Sequence, residues 1–135
     1  MRELKIRALL SNMSQALAFV DGELEKLSCP IRTQTQIDIA VEEMFVNIAS
    51  YAYAPGEGDV LLRVEAAPAG CVSITLLDTG TPYNPLAKPD PDVTLPAKDR
   101  QIGGLGIYMV KKSMDDMKYE YRDGQNILTL VKKIA

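Results

Sequence analysis

The sequence contains no histidine. That absence removes Ser-His-Asp and Cys-His nucleophile–base pairs and histidine-ligated zinc. It also leaves the chain no histidine of its own to phosphorylate. Cysteine is almost as scarce, with Cys29 and Cys71 far apart in the chain. Two isolated thiols in a non-secreted chain read as small buried hydrophobes before they read as a disulfide. No apolar run approaches the ~20 residues a membrane-spanning helix requires. The opening MRELKIRALL alternates polar and apolar residues where a signal peptide would carry an unbroken apolar stretch. An excess of one charge is missing too: the formal net charge of −3 gives no basic footprint, so direct nucleic-acid binding is not expected. These absences point to an intracellular, cytoplasmic protein without membrane contact.

What is present suits one compact domain over residues 1–135, with 47% hydrophobic and 24% charged residues. Leu4, Ile6 and Ala8 alternate with charged neighbours as in a half-buried strand. From Ser11 the period lengthens, and Met13, Leu17, Val20, Leu24 and Leu27 share one helical face until Ser28-Cys29-Pro30 interrupts. A second helix is expected over residues 33–51, with Ile37, Val41, Met44, Ile48 and Tyr51 inward. Val60, Leu62 and Val64, then Val72, Ile74 and Leu76, mark two strands joined at Ala67-Pro68-Ala69-Gly70. Residues 80–101 lack periodicity and contain Pro82, Pro85, Pro89, Pro91 and Pro96. A structureless stretch of that length in a small domain is usually functional or disordered. Glycines 103, 104 and 106 then open a third helix with Ile107, Val110 and Met114 inward, and strands near 118–122 and 126–133 flank Asp123-Gly124, a strong hairpin signal. The order β-α-α-β-β-loop-α-β-β implies an α+β two-layer sandwich, a mixed but mostly antiparallel sheet with helices on one face.

Three stretches carry chemistry. In VEEMFVNIASYAY, Glu43 and Asn47 lie four apart on one helix face at the border of the core stripe. A carboxylate and an amide oxygen so aligned suit a hard cation such as Mg²⁺, and Glu43 could also accept a proton. A solvated Glu with an Asn near a helix end would look the same, and Glu42, on another side, reads as surface. In LLDTGTPYNP a buried strand ends in Asp78, with Gly80 two residues on. A carboxylate there can accept a hydrogen bond from the exocyclic amine of a flat ligand, although Asp and Gly also make plain turns. In IGGLGIYMV, glycines directly before a helix let backbone N–H groups crowd round a phosphate at the positive helix end. A tight loop-to-helix turn would serve equally, and neither the Walker A nor the Rossmann spacing is present.

Taken together, in this order, the three stretches resemble the N, G1 and G2 boxes of the GHKL ATPases, the Bergerat-fold superfamily that includes gyrase and histidine kinases. Here they read Glu43-Met44-Phe45-Val46-Asn47, Asp78-Thr79-Gly80 and Gly104-Leu105-Gly106, with Asn47…Tyr51-Ala52-Tyr53 and Gly103-Gly104-Leu105-Gly106…Met114-Asp115. The chain is most similar to the small anti-sigma factor and serine-protein kinase branch, over essentially its whole length. The resemblance implies ATP and Mg²⁺ as cofactors and γ-phosphate transfer to a serine or threonine of a STAS-domain anti-anti-sigma protein. A sigma factor would be a second partner, and a homodimer is open to the chain. By position, Asn47 would help hold Mg²⁺, Glu43 would be the base, Asp78 would take the adenine amine and Gly80 would give the ring room. The backbone at Gly103, Gly104, Leu105 and Gly106 would cradle phosphates. Lys98 and Arg100 are either phosphate partners or solvated loop charges.

The chain also departs from the pattern. Ile102 stands where relatives have the first glycine of a longer G2 box, and Tyr51 replaces a common histidine. On the last strand the threonine that many relatives place near the adenine-bound water is, by register, Asn126, and Thr129 is an ordinary β residue. Two other readings stand beside the kinase. One is a nucleotide-gated anti-sigma or regulator-binding module with little or no transfer, against which the intact Glu43 argues. The other is an ATPase module of a histidine kinase, against which the missing histidine and the lack of a preceding dimerisation helix pair argue.

Overall fold

The computed structural model describes residues 2–87 and 105–135. It runs β1 (Arg2–Arg7), α1 (Met13–Lys26), α2 (Ile31–Asn47), β2 (Asp59–Ala67), β3 (Cys71–Asp78), α3 (Leu105–Ser113), β4 (Asp116–Arg122) and β5 (Gln125–Lys133). The five strands form one sheet in the order β1-β2-β3-β5-β4.

Every pairing is antiparallel. The sheet is therefore not mixed, and the reason is topological. One helix between β3 and β4 makes those two strands run the same way, but β5 hairpins back from β4 and inserts between them. The Asp123-Gly124 turn permits this, since both residues take positive φ, 55° and 78°, as a two-residue hairpin of the right twist requires. The edges, β1 and β4, are the most exposed strands, and charges at Glu3, Lys5, Lys118 and Glu120 discourage further pairing.

The helices cover one face. Ala16, Val20 and Leu24 of α1, Ile37, Val41, Met44 and Phe45 of α2, and Ile107 and Val110 of α3 meet Val60, Leu62, Val72, Ile74, Leu76, Leu128 and Leu130 of the sheet. The strand alternation and most of the helix stripes thus fall as the periodicity predicts. Leu27 does not, because α1 closes before it: Ser28 takes φ 58°, while Ser28 N–H bonds Glu25 C=O and Cys29 N–H bonds Leu24 C=O. That is a Schellman stop with serine in the left-handed position. Tyr51 does not either. After Asn47 the helix widens into one π turn, Ile48–Ala52, and the extra residue per turn rotates Tyr51 out of the core to 72% exposure. Such widened turns recur where a helix meets a ligand.

Between α1 and α2 two acids come together. Asp21 and Asp38 meet through a hydrogen bond, and each keeps one buried oxygen without a partner. The Asp38 carboxyl is pushed up to about 7, first by burial, then by Asp21 and Glu42. Among the described residues no helix is long and apolar enough to cross a membrane.

Candidate functional site

Three backbone segments converge beside the core. The π turn leaves the Ala52 carbonyl free of the helix ladder, and Thr81 N–H donates to it at 2.8 Å. Gly80 makes this approach possible, because a Cβ there would stand 2.6 Å from the Ala52 carbonyl carbon and 2.7 Å from its Cβ. The glycine is needed here for the close approach of backbone to backbone. A second tie comes from Tyr53, whose hydroxyl donates to Asp59 C=O at 2.6 Å and accepts from Thr79 N–H at 2.8 Å. Its ring lies where a side chain on Gly58 would go. The end of α2, the start of β2 and the exit of β3 are thereby buckled together.

The result is a pocket of about 200 Å³. Its walls are apolar: Met44 and Ile48 from the helix side, Leu76 and Leu128 from the sheet, with Tyr83 and Tyr119 beside them. Its polar groups are few, chiefly Asn47, Asp78 and Asn126. An apolar slot with a small number of placed polar groups is the form of a small-molecule site.

Asp78 sits at its end, 6% exposed. Its Oδ1 accepts from Gly80 N–H at 2.9 Å and from Asn126 Nδ2 at 2.9 Å. Among the described residues no donor meets Oδ2. Oδ2 is not sealed in the interior as an unpartnered atom, so it is accessible to a donor such as an exocyclic amine. Asn126 stands directly opposite in the β3–β5 register and is itself 6% exposed. Thr129 pairs with Thr75, the ordinary β position expected of it. Burial pushes the Tyr83 and Tyr119 phenols up, with Tyr51 adding to the first and Asp78 to the second. Both therefore stay neutral at the pocket wall.

Asn47 lines the same pocket from the end of α2. One turn back, Glu43 is half-buried while Glu42 is exposed, the division expected of the two acids. The Glu43 carboxylate lies against the bare Cα of Gly106, where any side chain would collide with it. So α2 connects the pocket to the first turn of α3. The structure brings together Glu43, Asn47, Asp78, Asn126 and Gly106. Leu105 begins α3, and Lys98, Arg100, Gly103 and Gly104 lie outside the described residues. Tyr83 and Tyr119 went unnoticed in the sequence as site residues, and Tyr53 was read only as part of the motif after Asn47. Tyr119 carried a signal, being in step with the inward Met117 on β4.

A family model described as the histidine kinase-like ATPase domain matches residues 6–132. The chain belongs to that family. Within it, the chain is 29% identical over 104 residues to the serine/threonine-protein kinase BtrW of Bordetella bronchiseptica, covering 77% of this chain and 73% of that protein. It is 24% identical over 127 residues to the serine-protein kinase RsbW of Bacillus cereus, covering 91% and 72%. Two solved structures share the fold of this histidine kinase-like ATPase domain. One holds the RsbU and RsbW domains of a Mycobacterium tuberculosis protein, with TM-score 0.67 and 16% identity. It matches 99% of this chain, which spans only 33% of that one. The other is a histidine kinase domain of an Erythrobacter litoralis blue-light activated kinase, with TM-score 0.55 and 18% identity over 78% of this chain and 46% of that one.

Proposed function

We propose that the chain is an ATP-dependent serine/threonine protein kinase of the anti-sigma type. It transfers the γ-phosphate of Mg-ATP to a serine or threonine of a STAS-domain antagonist and sequesters a sigma factor when that antagonist is absent. The observation that carries this reading is the placement of Glu43. Its carboxylate rests against Gly106 at the first turn of α3, one helical turn from Asn47 in the wall of the pocket that ends at Asp78.

Each residue then has a role in an ordered site. Asp78 Oδ2 accepts the adenine amine, and the apolar walls take the faces of the ring. The helix end at Leu105 and Gly106 orients N–H groups toward phosphate, with Gly103, Gly104, Lys98 and Arg100 as the remaining expected phosphate contacts. Among the described residues no three or more Cys, Asp or Glu side chains come together as a metal cage. A site that supplies one amide oxygen, from Asn47, fits Mg²⁺, which takes few protein ligands and keeps phosphate oxygens and water. When bound, Mg²⁺ supplies charge neutralisation for the transferring phosphate. Glu43 holds the incoming hydroxyl and takes its proton. Phosphoryl transfer asks mainly for positioning and charge compensation, which suits a chain without histidine.

The test is phosphate transfer from labelled Mg-ATP to the STAS-domain protein that co-purifies with the chain from its source cell. Wild type should label a serine or threonine. Glu43→Ala should lose on the order of 10²–10⁴-fold in rate, the usual contribution of a positioned base, while still binding ATP. A Glu43→Ala variant with wild-type turnover would sink the role given to Glu43. Capture of a sigma factor by a wild-type chain that transfers no phosphate would establish the binding-module reading instead.

A further inference from the structure

The Asn126 side chain is fully engaged. Its Nδ2 faces only acceptors: Asp78 Oδ1 at 2.9 Å, Thr81 C=O at 3.1 Å and Gly80 C=O at 3.4 Å. Its Oδ1 faces only donors, Tyr83 N–H at 3.1 Å and the Tyr119 hydroxyl. Five partners of matched polarity fix the amide in one orientation, since a flipped amide would set donor against donor and acceptor against acceptor. No polar atom of Asn126 remains for a ligand. By register it stands where relatives have a threonine near the adenine-bound water, and here its amide is turned to protein partners. Its partners are the recognition carboxylate, the segment that follows it and a tyrosine from the neighbouring strand.

We infer that Asn126 is the positioning residue of the base site: it holds Asp78 as a fixed, acceptor-only carboxylate and so makes the pocket select a base with an amine over one with a carbonyl at the same place. The physical reason is short. An amide N–H donated to one carboxylate oxygen stops the group rotating. The other oxygen, Oδ2, then sits in one place and can only accept. A donor from the base satisfies it; a carbonyl sets two acceptors against each other in a buried site, where an unmade hydrogen bond is costly. Without the amide, Asp78 could turn and would discriminate poorly. This inference rests on reading the pocket as an adenine-nucleotide site.

The test uses ATP and ITP, which differ by amine and carbonyl at that ring position and, with it, by an acceptor nitrogen in adenine and an N–H in hypoxanthine at the adjacent position. Dissociation constants are measured with Mg²⁺ for the full chain as wild type, Asn126→Thr and Asn126→Val. Threonine and valine have the same shape and both suit a strand, so loss of packing is common to both. Only threonine can donate to the directly opposite Asp78. Wild type should prefer ATP by about tenfold or more. Asn126→Thr should keep most of that preference, and Asn126→Val should bring the ratio within about threefold of one. Thermal midpoints of the two variants, expected to be alike, confirm that the comparison is between folded proteins. Equal ATP-to-ITP ratios in the two variants would overturn the inference while leaving the nucleotide site in place. A wild-type chain that binds neither nucleotide would overturn the site reading and this inference with it.

Discussion

Replacing Gly80 with alanine should loosen the whole site through one methyl group. A Cβ there would lie 2.6 Å from the Ala52 carbonyl carbon and 2.7 Å from its Cβ, where ordinary contact begins at 3.4 Å. The two backbones must then part by about 3.4 − 2.7 = 0.7 Å or more. Neither partner is a flexible side-chain tip that could step aside. The same movement stretches the Thr81–Ala52 bond from 2.8 Å toward its limit and drags on Gly80 N–H, which holds Asp78. Overpacking costs about 1–3 kcal/mol and a weakened backbone hydrogen bond about 0.5–1.5 kcal/mol, so the change should destabilise by about 2–4 kcal/mol. At roughly 3–5 °C per kcal/mol for a domain of this size, the midpoint of a far-ultraviolet circular dichroism melt should fall by about 6–15 °C. Nucleotide affinity should fall in parallel. Gly22, in the middle of α1 with nothing near its Cα, provides the contrast: Gly22→Ala should stabilise by about 0.5–1 kcal/mol through helix propensity alone. A Gly80→Ala protein that melts within about 2 °C of wild type and binds nucleotide normally would refute the argument that a backbone contact builds this pocket.

Two further outcomes are expected. The Asp38 carboxyl, pushed up to about 7 against an ordinary 3.8, binds its proton more tightly folded than unfolded. Its pair with Asp21 therefore costs stability as pH rises between about 4 and 7 and levels off above that. Asp38→Asn, which gives Asp21 an amide donor and cannot ionise, should raise the melting midpoint at pH 8 and leave it nearly unchanged at pH 5, and parallel midpoint-versus-pH curves would contradict this. Tyr53→Phe removes the hydroxyl that joins Asp59 C=O to Thr79 N–H. It should cost about 1–3 kcal/mol in chemical denaturation, and a loss under about 0.5 kcal/mol would show that the buckle is not structural.

The sequence was most legible where one physical rule acts alone. Period-two alternation placed Val60, Leu62 and Val64 inward, and Asp123-Gly124 had to be a hairpin because few other residues accept positive φ at both places. Glu43 and Asn47 could be set on one helix face by spacing, and their separation from Glu42 follows from the same 3.6-residue period. Legibility ended where the outcome depends on distant segments. Tyr51 obeys the helical period on paper, but a single π turn rotates it out. The Asp21–Asp38 pair is invisible because two helices must dock before the acids meet. Gly80 could be singled out by motif, but its contact with Ala52 is visible only in the folded chain. Asn126 stands opposite Asp78 by register, yet its five partners come from two other segments of the chain.

The central claim is that Asp78 reads an adenine nucleotide in this pocket, and calorimetric titration with Mg-ATP of wild type and Asp78→Asn tests it most directly. The asparagine oxygen can still accept from Gly80 N–H and Asn126 Nδ2, so the fold and melting midpoint should persist, while its amide replaces the free acceptor at Oδ2. Wild type should bind one ATP per chain, and Asp78→Asn should bind at least about tenfold more weakly. Equal affinity in the two proteins would contradict the account.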